Sequence, residues 1–136
     1  MSTDKTILAV DLDNTLINTD MIFVGLKSLF LKKFYLFPKL LLLLTFKGKT
    51  YAKKFLYDNT QFSVTNIPFN NAVIDFIKSN KKHYISTILI SGSYYEYVEY
   101  IADYLNIFDC RVGTTLGNNM ISMNKVKYIR DKFGNT

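Results

Sequence analysis

The four residues Ile7-Leu8-Ala9-Val10 are apolar without interruption and run straight into Asp11. A run this short, ending on a charge, reads as a fully buried strand of a parallel sheet at the point where it emerges. A second run, Tyr84 to Ile90, is apolar and β-branched and gives way to Ser91-Gly92-Ser93, as a strand does before a turn. Helical periodicity fills the stretches around them. Ala72, Val73, Phe76 and Ile77 share a helix face after the turn and cap residues Asn66-Ile67-Pro68-Phe69-Asn70, and that helix is expected to end near Ser79-Asn80. Tyr97, Val98, Ile101, Ala102 and Leu105 form the inward stripe of another, with Ser93 and Glu96 at the spacing of a capping box. Asp109 to Gly113 is a weaker third strand, Gly117-Asn118-Asn119 a turn, and Asn124 to Phe133 a last helix closed by Gly134. Strands alternating with helices predict an α/β fold with a parallel sheet, and such sheets bind ligands beyond the carboxyl ends of their strands. Asp11 and Ser91 stand at two of those ends.

At 136 residues the chain has room for one domain, and a 49% hydrophobic, 15% aromatic composition excludes the disordered class. Cys110 is the lone cysteine, which excludes a disulfide framework within the chain and gives no metal or redox signature. A reducing, cytoplasmic setting fits. The apolar stretch after Met1 to Lys5 is too short for a signal-peptide core or a membrane span, so no export signal is expected. The net charge of +6 is unevenly spread. Between Met21 and Lys54 there are eight lysines and no acidic residue; taking those from the seventeen basic residues leaves nine, against eleven acidic ones.

Asp11-Leu12-Asp13-Asn14-Thr15 sets two carboxylates two residues apart directly after a strand. Asp and Asn also favour turns and helix caps, and Thr15 is a cap residue too, so a structural reading stands beside a chemical one. In the chemical reading one carboxylate attacks phosphorus to give an aspartyl-phosphate. The other serves as general acid and then as base, and a Mg²⁺ held by Asp11 and Asp13 offsets the phosphate's charge. Ser91 and Gly92, with the amides that open the next helix, read as a phosphate site; turn formation is the plainer alternative. Lys125 at the start of the last helix is a candidate to neutralise phosphoryl oxygens, with Lys127 as a competitor two residues on.

Three of these features together resemble the haloacid-dehalogenase-like (HAD) superfamily. Asp11-Leu12-Asp13-Asn14-Thr15-Leu16 resembles its first motif, Ser91 at a strand end its second, and Lys125, ahead of Phe133-Gly134, its third. More narrowly, Asn18-Thr19-Asp20, the Leu-rich stretch around Pro38, Ile67-Pro68-Phe69-Asn70 and Tyr104-Leu105-Asn106-Ile107-Phe108-Asp109 look like the HAD domain fused to the N-terminus of UbiA-type membrane prenyltransferases. The resemblance implies a Rossmann-like core over residues 1–19 and 67–136, with a helical, basic cap inserted at 20–66. It implies a Mg²⁺-dependent phosphomonoesterase with Asp11 as nucleophile, Asp13 as acid/base and carbonyl ligand of the metal, and Thr15, Ser91 and Lys125 holding phosphate. It also implies a further strand beyond Gly134 bearing acidic metal ligands; Asp131, in the preceding helix, does not fill that role, and a front piece of a longer protein is expected.

The basic insertion reads as two helices hinged near Phe37-Pro38. Phe34 to Phe46 is Leu-rich but broken by Pro38 and Lys39, about half the ~20 residues needed to span a bilayer. Two uses remain for it: leucines packed on the core with lysines in water, or a basic amphipathic surface at an anionic membrane. Expected partners are a phosphorylated small-molecule or lipid-linked substrate, and an anionic membrane surface or a fused prenyltransferase; no nucleic-acid motif is present. The competing functions are a non-catalytic phosphate- or membrane-binding module and transfer of the phosphoryl group to an acceptor other than water.

Overall fold

A computed structural model describes residues 6–60, 63, 67–121 and 123–134. The start, Met1 to Lys5, the turn residue Asn66, the last residue of the expected insertion, and Ser122 lie outside the described residues. The strands are β1 (Ile7–Val10), β2 (Ser86–Tyr94) and β3 (Cys110–Thr114), parallel and in the order β1-β2-β3. The helices are α1 (Met21–Lys33), α2 (Phe37–Phe46), α3 (Lys49–Asn59), α4 (Asn71–Asn80), α5 (Tyr95–Leu105) and α6 (Met123–Phe133). The α/β class and the parallel sheet agree with the sequence.

Both faces of β2 are covered, and its side chains alternate between them. Leu89 joins the core under α4 and α5, whereas Ile88 and Ile90 join Met120 and the inner residues of α6 on the other face. β1 differs from expectation. It lies at an edge, Ile7 and Leu8 are half-buried and Ala9 is exposed, because the α6 layer covers β2 and β3 and leaves that side of β1 open.

Three boundaries also depart from the periodicity. α4 turns Ile74 and Ile77 inward and leaves Phe76 51% exposed, with Ala72 outside as well, so the expected stripe was rotated. The insertion holds three helices, since Gly48 at φ +99° breaks the chain between α2 and α3 in a conformation that costs glycine little. Pro38 sits in the first turn of α2, where its missing N–H is harmless. Finally, β2 runs past Ser91 to Tyr94, and α5 is capped by Tyr94 without a side-chain bond, so the capping box of Ser93 and Glu96 does not form.

That last difference has a cause in the pairing. Ile90 pairs with Val112 and Tyr94 with Thr114, so four steps of β2 run beside two of β3 and the excess bulges at Ser91-Gly92-Ser93. Gly113 lies beneath the bulge. A Cβ there would stand 2.6 Å from the Tyr95 Cα and 2.9 Å from the Ser93 carbonyl oxygen, both backbone atoms with little room to yield. Gly113→Ala is therefore expected to destabilise the fold by about 2 kcal/mol through overpacking, read as a lower urea midpoint at unchanged slope; an unchanged midpoint would mean the bulge is not held from below.

Candidate active site

Beyond β1 the chain enters a single tight turn, Leu12–Leu16, closed by bonds from the Leu16 and Ile17 N–H groups to the carbonyls of Asp11 and Leu12. Leu12 and Leu16 are fully buried and anchor it, each contributing roughly 1.5–3 kcal/mol. Asn14 takes the left-handed conformation at φ 57°, which Asn tolerates better than most residues. Leu12 and Leu16 pointing inward leave Asp11 and Asp13 on the side that faces the tip of β2.

Asp11 Oδ1 accepts from its neighbour's amide, Leu12 N–H at 2.8 Å, and stands 3.1 Å from Lys125 Nζ on α6. Asp13 is more enclosed. Its Oδ1 accepts from the Met21 N–H at 2.9 Å, the first amide of α1; its Oδ2 accepts from Ser93 Oγ at 2.7 Å and, at 3.5 Å, from Ser91 Oγ. Burial pushes the Asp13 carboxyl above its ordinary value, with the bonds from Ser93 and Met21 pulling the other way. The folded chain thus holds this proton more tightly than the unfolded chain. The stability this group contributes is full below the ordinary carboxylate range and is lost as pH rises through the raised value. Both acidic side chains also cap backbone amides, so the structural reading of the motif describes part of what they do.

Of the residues singled out in sequence, Asp11, Asp13, Ser91 and Lys125 are brought together. Thr15 is carried half-buried on the same turn, and its hydroxyl makes none of the bonds that join the cluster. The expected anion cradle of Ser91, Gly92 and a helix N-terminus does not form, because α5 begins only at Tyr95. Ser91 is fully buried and its Oγ accepts from the Ser93 N–H at 3.0 Å. The Gly92 carbonyl accepts from Lys53 Nζ at 2.6 Å and from Thr114 Oγ1 at 2.8 Å.

Three residues were missed. Ser93, read as a cap, is the closest partner of Asp13. Lys53, read as one of eight solvated lysines, reaches from α3 to the Gly92 carbonyl and to Asn119 Oδ1 at 2.7 Å, and burial lowers its pKa from the ordinary lysine value. Asn119 had been assigned only to a turn. A signal for Lys53 was present: Lys49, Ala52, Lys53 and Leu56 fall at i, i+3, i+4 and i+7, one helix face, and Ala52 and Leu56 are the buried residues of α3.

That face lines a cavity of about 400 Å³ between α1, α2, α3 and the 119–121 loop, walled by Leu26, Leu40, Leu44 and Leu56 with Lys53 and Asn119 at one side. A smaller pocket continues past Lys53 to Ser93 and Tyr97. For a cation, Asp11 offers hard oxygen donors, whereas the Asp13 carboxylate is already occupied by two strong bonds. Among the described residues no three His, Cys, Asp or Glu side chains stand together. A Mg²⁺ ion here would take one carboxylate from these residues, that of Asp11, fewer acidic ligands than the resemblance implies, and would complete its shell with water and substrate phosphate.

No protein-family model and no curated protein sequence matches the chain. Among solved structures it is similar to a HAD-superfamily hydrolase from Ehrlichia chaffeensis, at 19% identity over 97% of this chain and 74% of that one, with a TM-score of 0.48.

Proposed function

We propose that the chain is a phosphohydrolase of the haloacid-dehalogenase type that works through an aspartyl-phosphate on Asp11. The observation that carries this is the meeting of three elements distant in sequence: a carboxylate at the tip of β1, a lysine 3.1 Å away on α6, and a second carboxylate tied to the bulge of β2. An Asp11 oxygen attacks phosphorus and forms the new P–O bond, and the bond to the ester oxygen breaks as Asp13 donates its proton there. Asp13, now ionised, takes a proton from water as that water attacks phosphorus; the bond to Asp11 breaks and inorganic phosphate leaves. Lys125 stabilises charge on the phosphoryl oxygens. A Mg²⁺ held by Asp11 and by the backbone of Asp13 would neutralise the dianion.

The raised pKa of Asp13 supports its part as the acid, because a carboxyl that keeps its proton nearer neutrality is the better donor. The insertion α1–α3 supports a cap, since Lys53 comes from it to the β2 bulge. The apolar cavity beside Lys53 favours an ester with an apolar substituent, lipid-linked or aromatic, over a bare sugar phosphate.

With Mg²⁺ present, Asp11→Asn is expected to reduce p-nitrophenyl phosphate turnover by on the order of a thousandfold or more, and Lys125→Ala by about a hundredfold. Equal turnover by wild type and Asp11→Asn removes Asp11 from the chemistry and leaves the non-catalytic reading. Ser93→Ala takes away a bond that favours ionised Asp13, so the limb of the pH profile that reports the acid should move to higher pH; a shift to lower pH would assign that limb to another group. In an alkyl phosphate series kcat/KM should rise with chain length, and a flat series would disconnect the cavity from the substrate.

A further inference from the structure

The α1 helix has two apolar faces. Met21, Gly25 and Leu29 are buried, and a Cβ on Gly25 would lie only 3.4 Å from Leu56 Cβ on α3. The opposite stripe is Phe23, Lys27, Phe30 and Leu31, continued by Phe34 just past the helix end at the same spacing. Its four apolar residues are 60–69% exposed. The outer side of α2 repeats this, with Leu41 61%, Leu42 57% and Phe46 78% exposed. The plainer use of the segment, packing on the protein's interior, holds for Leu26, Leu36, Phe37 and Leu40 and does not account for these exposed side chains.

We infer that the outer face of α1 and α2 is a docking surface for a bilayer bearing anionic headgroups. Surface this apolar is rarely left to water, and the two helices that carry it also bear Lys27, Lys32, Lys33 and Lys39, with no acid between Met21 and Lys54. Two copies meeting through this face would set lysine against lysine. A bilayer answers both properties: rings and leucines enter the boundary of the acyl layer while lysine stems lie along it and their ammonium groups meet phosphates. Among the described residues no helix is long and apolar enough to cross a membrane, so the helices would lie in the interface. The inference does not depend on Asp11 being a nucleophile.

Flotation with phosphatidylcholine vesicles, with and without phosphatidylglycerol, tests it. Binding is expected to the anionic vesicles and to be lost at high salt. Phe34→Ser combined with Phe46→Ser should weaken it by on the order of a hundredfold. The set Lys27→Gln, Lys33→Gln and Lys39→Gln should do so by a similar factor, at about fivefold for each lysine. Phe76→Ser, on α4 and 51% exposed, is the control that leaves flotation unchanged. All variants alter exposed side chains except at the half-buried Lys33, so circular dichroism and melting temperature should be retained. Three outcomes overturn the inference: no flotation with anionic vesicles, flotation that neither variant set weakens, or a dimer that the Phe substitutions dissociate while the parent ignores vesicles, which would give the face to a second copy.

Discussion

The carboxylate of Asp13 holds three elements at once. One oxygen takes the first amide of α1 and the other takes the Ser93 hydroxyl from the β2 bulge, so the turn after β1, the start of the insertion and the middle strand meet on a single side chain. Parallel pairing prepares the meeting by setting Val10 beside Leu89, which brings both strand ends to one edge of the sheet. Burial of a charge is costly, and here two short hydrogen bonds offset only part of that cost, as the raised pKa records. A purely structural joint would be served as well by a neutral hydroxyl or amide. The choice of a partly buried acid is what singles this position out.

Lysines approach this carboxylate pair from two helices distant in sequence, α3 and α6. Lys125 pairs directly with Asp11, whereas Lys53 spends its donors on the Gly92 carbonyl and Asn119 and feels Asp13 through space. Thr114, fully buried, binds the same Gly92 carbonyl and accepts from the Met120 N–H at 2.9 Å, which ties the end of β3 and the loop before α6 to the bulge. Lys53 is thus fixed by a backbone carbonyl and a side-chain amide and does not collapse onto Asp13, whereas Lys125 is held by Asp11 itself. An anion entering beside Asp11 would meet lysine charge already in position, which lowers the reorganisation needed to bind it.

How much of this could be read in advance depended on whether the signal was local. The strand ending at Asp11, the Asn70 cap with its bond to Val73, and the α5 stripe of Tyr97, Val98, Ile101 and Ala102 rest on neighbours in sequence, and they were legible. Ser93 was not. Its spacing to Glu96 matched a helix cap, and the register shift against β3 that keeps it in the strand depends on the absence of a Cβ at Gly113, twenty residues away. Lys53 was hidden among like neighbours, because composition treats every lysine in a basic segment alike while burial picks one. Phe76 shows the converse error: a large apolar residue at helical spacing was assumed to face inward, and it faces water.

The insertion raises a question of stability that its outer face answers. Its own core is small, built on Leu29, Leu40, Ala52 and Leu56, and many of its larger apolar side chains are exposed. Among the described residues it is joined to the rest by the Lys53 bonds, the Met21 N–H to Asp13, Thr50 Oγ1 to the Leu116 carbonyl at 3.1 Å and the Thr60 to Tyr97 hydroxyl contact at 3.1 Å, and by Met21, Val24 and Tyr57, which pack in the main core. Covering its outer face would therefore stabilise α1 and α2 where their own packing does not. Those are also the helices that wall the cavity, and α3, which carries Lys53, packs between them and the β2 bulge. A surface that orders the outside of the insertion would, through that shared helix layer, bias how tightly its inside closes over Asp11 and Asp13.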